Sequence, residues 1–421
     1  MSFSTFIDRY FERSCLHFIS ITILIVTVIA LVYNCLIPMG QKTFLGTHIK
    51  HDYDALYVAG EILLEHHPGQ LYNMELQSDA YHKLRPFVTE NQTLPFCYPP
   101  FFALIFWPLA LLPYIYSYLI WLLITAGFYL LGLFLILRST RYIPASQFLT
   151  CTLLALSFGS FLQCWVIGQT SSFGFLAMAL SFHFYKRQRN ILSGFALGLC
   201  LYKPTLLIII LPFLLFSRQL RILWGFVLSA LVLALLSVIV FGRSTCVDWF
   251  ELVFWFAETS TGKESLSAHL YFDVIAFFQL LFGNPGQTAK ILIFIIYGIV
   301  FIVYACLLRR LSVNNHPAHE LVLASILSLT AAFNIYFPVY DSIIIVIGSI
   351  LTVDAYYGFF NDAAKKFDPK IKTLLILVYS GPVISSVCAK YTGFQPYTLV
   401  LLCLGIYQLF LLRQICHQKK D

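Results

Sequence analysis

The chain has 421 residues, of which 59% are hydrophobic and 11% charged, with a formal net charge of +7. A soluble protein of this length with so large an apolar fraction has too little polar surface to stay dispersed, so the bilayer is its solvent. The basic residues form short clusters between apolar runs rather than one continuous face, which excludes nucleic acid as a partner.

In hydrocarbon every backbone amide must be paired inside its own segment or in a closed barrel, and the long apolar runs show no period-2 alternation. The expected fold is therefore all-α and polytopic, a single integral membrane domain over 1–421 with about twelve transmembrane helices. Basic clusters recur at Arg9/Arg13, Arg138/Arg141, Lys186-Arg187-Arg189, Arg218/Arg221, Arg309-Arg310, Lys365-Lys366-Lys370-Lys372 and Arg413/Lys419/Lys420, together 18 of the 27 basic residues. Lys and Arg near span ends mark the cytoplasmic side, so both termini are expected inside. The acids fall in the alternate segments: seven between Asp52 and Glu90, five between Asp248 and Asp273, and Asp341, which is 13 of 20.

The first apolar run, about Leu16 to Ile37, is too long for a signal-peptide core and lacks an A-x-A cleavage site, so it is expected to stay as an anchor. A first extracytoplasmic loop, 38–97, follows. Within it, from Asp54 to Leu64, the spacing of Ala55, Leu56, Val58, Ala59, Ile62 and Leu63 predicts a short amphipathic helix. Pro68 to Asn73 then breaks it. From Tyr98 to Leu137 the apolar run is punctuated by Pro99, Pro100, Pro108 and Pro113, which predicts a short broken helix and then one full span. One span returns outward to Gly168-Gln169 and another goes back to Lys186. Between Arg189 and Arg218 both ends are basic while Lys203-Pro204 sits in the middle, which predicts two half-length helices meeting at a bend. A second large extracytoplasmic loop, 242–290, is expected to carry amphipathic helices around Trp249 to Phe256, and four or five further spans close the chain.

Few residues in these runs can carry chemistry. Asp52 and Asp54, in His51-Asp52-Tyr53-Asp54, are either a solvated acidic loop or carboxylates at the mouth of a cavity, where a held carboxylate accepts a proton from an attacking hydroxyl. Asp341 follows Phe337-Pro338-Val339-Tyr340 at the outer end of a span and is either functional or a helix cap. Lys203, a lone cation before Pro204, needs a counter-ion, a phosphate, or a route to the surface. Gly168-Gln169-Thr170-Ser171-Ser172 binds sugar hydroxyls or supplies a helix N-cap. His51, His66, His67 and His82 fit no zinc spacing and are expected as solvated loop histidines, so no metal is expected. The eleven Cys form no C-x-x-C pair and read as small buried hydrophobes. There is no G-x-x-x-x-G-K-[ST], G-x-G-x-x-G or H-E-x-x-H, so no nucleotide or other cofactor is expected.

Taken in order, several motifs resemble the pattern of glycosyltransferase family 87, the polyprenol-phosphate-mannose-dependent GT-C enzymes. They are Asp52-Tyr53 with Tyr57-x-Ala59-Gly60, Leu71-Tyr72-Asn73, Tyr98-Pro99-Pro100-Phe101, Pro108-Leu109-Ala110 and Leu112-Pro113. Gly168-Gln169, Gly194-x-x-x-Gly198 with Lys203-Pro204, and Tyr340-Asp341 complete the set. The resemblance implies a GT-C-like bundle with juxtamembrane helices in the first outer loop, and a metal-free transferase that inverts at the anomeric carbon. It implies a hexose, mannose by the family's habit, moved from a polyprenyl-phosphate donor to a lipid or glycan acceptor outside a plasma (inner) membrane. Asp52 is the implied base and Lys203 the implied partner of the donor phosphate. Gln169, Asp341, Tyr340, Tyr57 and Asp54 are expected to line the substrate cavity. The competing reading is a secondary transporter or lipid flippase, which should place buried carboxylates or broken helices in symmetry-related halves.

Overall fold

The computed structural model describes residues 12–36, 52–86, 94–263, 268–283, scattered positions between 291 and 306, 316–360 and 368–418. His51, Arg9, Arg309, Arg310, Lys365, Lys366, Lys419 and Lys420 lie outside the described residues.

The chain is an all-α multi-pass membrane protein. Among the described residues there is no strand, only an isolated bridge between Tyr271 and Pro338. Among the described residues, six helices are long and apolar enough to cross a bilayer: Arg13–Tyr33, Tyr114–Ser139, Leu220–Trp255, Val339–Phe359, Pro369–Thr392 and Tyr397–Ile415. A seventh span results if the bent pair Ala145–Leu156 and Gly159–Val166 is counted as one. The described residues thus supply six or seven of the about twelve spans expected. Several apolar stretches are instead divided into short helices, because hydropathy measures the apolar run and not the continuity of its hydrogen-bond ladder.

The elements follow in chain order. Helix α1 (Arg13–Leu36) leads into α2 (Tyr53–Glu65) and α3 (Met74–Leu84), which is capped by Asn73 accepting from the amides of Glu75 and Leu76. The amphipathic helix expected over Asp54 to Leu64 is thus present. Nine residues of α2 are buried, so it packs inside the protein on more than one face. Two one-turn helices, α4 (Pro100–Ala103) and α5 (Trp107–Ala110), precede α6 (Tyr114–Ser139), the full span expected after a broken helix. Its 26 residues extend about 39 Å at 1.5 Å per residue, enough for the hydrocarbon core. Helices α7 (Phe148–Leu156) and α8 (Gly159–Val166) meet at a 55° bend. The Ser157 hydroxyl there donates to the Leu153 carbonyl, in competition with the helix ladder.

Helix α9 (Ser171–Lys186) turns back to α10 (Asn190–Gly198), and a 3₁₀ turn carries the chain to Lys203. Lys203 is extended (φ −142°, ψ 81°), as the residue before a proline is pushed to be, and the half-length partner ends in α11 (Ile210–Phe216). The bend expected at Lys203-Pro204 is therefore observed. The long run α12 (Leu220–Lys263) changes course at Gly242 (φ 84°, ψ 163°). The chain beyond Gly242 proceeds as a continuation of that helix, followed by α13 (Val274–Phe282). The bundle is completed by α14 (His316–Ala332), α15 (Ile344–Phe360), α16 (Pro369–Thr392) and α17 (Tyr397–Gln418).

The Gly194-x-x-x-Gly198 pattern has a packing cause. A Cβ on Gly194 would stand 1.8 Å from the Ile222 carbonyl oxygen, and one on Gly225 2.0 Å from that of Ile191. Only hydrogen fits at this crossing of α10 and α12, which brings the two backbones together as small residues do in membrane bundles. Ion pairs with buried carboxylates form in separate parts of the bundle. At the end holding Lys186 and Arg141, Lys186 pairs with Glu320, and Asp354 accepts the amides of Arg141, Tyr142 and Ile143 at 2.7 to 3.0 Å. The other end holds the residues of interest for chemistry.

Candidate active site

Asp52 occupies the N-cap position of α2, where an Asp ordinarily accepts an amide of the first turn. It makes no such bond. Its Oδ2 instead accepts from the Gln169 side chain, Nε2 to Oδ2 2.5 Å, across 117 residues of sequence. Gln169 follows Gly168, whose φ of +72° suits glycine, and a Cβ there would meet the Tyr53 Cβ at 2.7 Å. The loop therefore lies directly against the first turn of α2. Further bonds fix the contact: the Tyr53 amide donates to the Ile167 carbonyl (3.2 Å), and the Trp121 indole donates to the Gly168 carbonyl (2.8 Å).

The next two residues of the loop reach other segments. The Thr170 hydroxyl donates to the Tyr98 oxygen (3.0 Å), and the Tyr98 hydroxyl donates to Gln169 Oε1 (3.1 Å). The Ser171 hydroxyl donates to Asp341 Oδ1 (2.6 Å). Thr170 and Ser171 are thus tied to distant side chains, and Thr170, at the N-cap of α9, makes no side-chain cap. Asp341 is not a cap either. It is buried in a 3₁₀ turn, and its Oδ2 faces the Lys203 ammonium at 2.5 Å as an ion pair without hydrogen-bond alignment. The Lys203 nitrogen stands over two aromatic rings, 5.0 Å from the centroid of Tyr340 and 5.6 Å from that of Tyr336. Such faces favour a cation.

Asp52, Gln169, Lys203, Tyr340 and Asp341, drawn from four separate stretches of sequence, are therefore brought together in one cluster. Burial pushes the Asp52 carboxyl above the ordinary carboxylate range; the Gln169 hydrogen bond opposes the shift, the charge of Asp54 adds to it, and that of Lys203 opposes it. The segment that leads into α13 reaches the same cluster. Asp273 caps α13 through Ala276 (2.9 Å) and accepts the amide of Phe337 (3.1 Å), while the rings of Tyr271 and Tyr336 lie 5.0 Å apart. Burial raises Asp273 to about 6, against the hydrogen bonds that hold it charged.

Two expected site residues point elsewhere. Asp54 is fully buried and engaged by Arg85 (Nε 3.0 Å, Nη2 2.9 Å), the Tyr114 hydroxyl (2.5 Å) and the Tyr81 hydroxyl (3.4 Å), so its carboxylate is committed to holding α2 against α3 and α6. Two residues apart on a helix differ by about 200° in direction, so Asp52 and Asp54 cannot both face one pocket. Tyr57 donates to the Leu112 carbonyl (3.0 Å) and packs edge-on against Tyr114, again on the buried side of α2. Of the histidines, His67 Nδ1 accepts the Gly69 amide and His82 bonds the Ser78 carbonyl. Among the described residues no three His, Cys, Asp or Glu side chains are grouped to hold a metal ion.

Sequence reasoning did not single out Tyr98, Tyr336 or Arg85 as site residues. Tyr98 stood in a quoted motif, and an aromatic with a polar handle next to a Pro-Pro pair was the available signal. A cavity of about 360 Å³ lies away from this cluster, between α9, α10, α11, α14 and α15, lined by Met178, Phe182, Leu197, Leu327 and Leu351 among others. None of the clustered carboxylates faces it.

A family model described as glycosyltransferase family 87 matches residues 96–334, more than half of the chain. The chain belongs to glycosyltransferase family 87. It is accordingly a glycosyltransferase, which sets aside the transporter and flippase reading. The matched segment contains Tyr98, Gln169 and Lys203; Asp341 lies just past its end, and Asp52 lies well before its start. Comparison with curated proteins and with solved structures gave no match.

Proposed function

We propose that this family 87 enzyme transfers a hexose, with mannose as the expected sugar, from a polyprenyl-phosphate donor to a hydroxyl of a lipid or glycan acceptor. Asp52 serves as the general base. The acceptor oxygen attacks the anomeric carbon as its proton passes to Asp52, the bond from that carbon to the phosphate oxygen breaks, and polyprenyl phosphate leaves. The configuration inverts, and no metal takes part. Lys203 faces the departing phosphate.

One observation carries this reading: a half-buried carboxylate, held through a single oxygen, beside a partly exposed ammonium. A carboxylate raised from its usual range is a better base near neutral pH than an ordinary one. The ammonium has three donors, and pairing with Asp341 leaves capacity for a phosphate oxygen. The aromatic rings of Tyr340 and Tyr336 beside it supply flat apolar faces of the kind that sugars stack on. A polyprenyl-phosphate sugar keeps its reactive bond at the membrane surface, which suits a cluster at one end of the bundle. The GT-C-like arrangement and the extracytoplasmic position of that end, in a plasma (inner) membrane with both termini cytoplasmic, belong to the same proposal.

The test is transfer in membranes supplied with a panel of labelled polyprenyl-phosphate sugars, comparing the native chain with Asp52→Asn at equal expression. Loss of transfer in the variant supports the assignment; undiminished transfer removes Asp52 as the base. An engineered cysteine beside Lys203 that an impermeant reagent reaches only from the cytosol would refute the placement of the site.

A further inference from the structure

Gln169 has a side chain whose orientation the structure determines without ambiguity. Its Oε1 lies 3.1 Å from the backbone nitrogen of Thr170, which can only donate, so that atom must be the amide oxygen. The same oxygen accepts the Tyr98 hydroxyl, whose proton is thereby used, and Tyr98 in turn accepts from Thr170 Oγ1. Nε2 is consequently obliged to face Asp52, which it meets at 2.5 Å. Asp52 Oδ1 has no hydrogen-bond partner among the described residues.

Building on Asp52 as the base, we propose that Gln169 is a positioning residue that selects which oxygen of Asp52 works. Nε2 holds Oδ2 in place, and Oδ1 is left to receive the acceptor's proton. The hydrogen-bonded chain Thr170 to Tyr98 to Gln169 to Asp52 sets the rotation of the carboxylate. Because Ser171, two residues on, holds Asp341 and through it Lys203, the single loop 168–171 spaces the base from the cation. A donor hydrogen bond to a carboxylate favours its charged form, so loss of Nε2 should make Asp52 harder to ionise.

The experiment uses the full chain in detergent and follows, by infrared titration, the protonated-carboxyl band that vanishes in Asp52→Asn. In Gln169→Leu the midpoint of that band should rise by about one pH unit, a tenfold gain in proton affinity, and in Gln169→Glu by more. Tyr98→Phe keeps Nε2 but removes one of the two donors that hold Oε1, leaving the Thr170 amide, so it should move the midpoint in the same direction by less. Where a labelled polyprenyl-phosphate mannose is turned over, kcat should fall with the donor KM unchanged, and the acid limb of the rate should follow the infrared midpoint. A role limited to packing would lower the yield of folded protein and leave the midpoint where it was. An unmoved midpoint in folded Gln169→Leu overturns the proposal. If that variant does not fold, an unmoved midpoint in Tyr98→Phe overturns it equally. Failure of the base assignment is read separately, as transfer surviving in Asp52→Asn, whatever the infrared midpoint does.

Discussion

Removing the Asp54 carboxylate should be among the most destabilising single changes in α2. Asp54 is fully buried, and Arg85, the partner it neutralises, is 3% exposed. Two bonds from the guanidinium and one from Tyr114 are at 3.0 Å or shorter, and the Tyr81 bond is marginal at 3.4 Å. Charge-assisted bonds contribute about 1.5 to 3 kcal/mol each, but they share one carboxylate and do not add. The bound that applies is the cost of stranding one buried charge, about 3 to 5 kcal/mol for Asp54→Asn. Replacing Arg85 as well, in Asp54→Asn with Arg85→Met, removes the stranded charge and should recover most of that loss. The assay is an unfolding titration with sodium dodecyl sulfate in mixed micelles, reported by fluorescence, on both single variants and the double variant. A single Asp54→Asn loss below about 1 kcal/mol, or a double variant no more stable than the single one, would show that the pair does not hold α2 in place.

Other outcomes follow from the same geometry. Asp52→Asn should lower the transfer rate by about 10² to 10⁴-fold, the range of a lost general base, with expression unchanged. The raised Asp52 value places the acid limb of kcat/KM above the ordinary carboxylate range, because the base works only when deprotonated; a limb at the ordinary range would contradict the burial argument. Lys203→Ala should weaken donor binding, checked by displacement with polyprenyl phosphate, and full donor affinity in that variant would defeat its phosphate role. Glu61 on α2 is raised from 4.5 to about 7 by burial and by Glu65. Its folded form therefore holds the proton more tightly than the unfolded chain, so stability should fall as pH rises between those values, and Glu61→Gln should flatten that slope in a pH series of unfolding midpoints. Gly225→Val should force α10 and α12 apart and reduce the amount of folded protein recovered in detergent, whereas Gly127→Ala, where no neighbouring atom lies within 4 Å, should not.

Much of this organisation is legible in the residues, and where it is not the cause is physical. The amphipathic period of Asp54 to Leu64 and the Lys203-Pro204 bend are local signals, carried by spacing and by the restriction that proline places on its predecessor. The full span after Pro113 is read the same way. The number of continuous spans is less accessible, because a run such as 148–166 is mostly apolar and is broken at a serine turn that hydropathy does not register. The cluster of Asp52, Lys203 and Asp341 was approachable because Lys203 is a lone cation inside an apolar run, Asp341 stands at the end of one, and Asp52 opens a short motif in the first loop. The division between Asp52 and Asp54 required the helix phase, and the partner that claims Asp54, Arg85, is 31 residues away in a polar stretch with no pattern of its own. The Gln169 orientation depends on a backbone amide, which no side-chain motif encodes.

Helix α15 carries a consequence for motion. Its leading turn is fastened through Asp341 to Ser171 and Lys203, and near its far end Asp354 grips the backbone of Arg141, Tyr142 and Ile143. Those anchors sit 13 residues apart, about 20 Å along the axis. A rod clamped at two such points resists sliding along its own length, so any opening beside it must come from neighbouring helices swinging away from it.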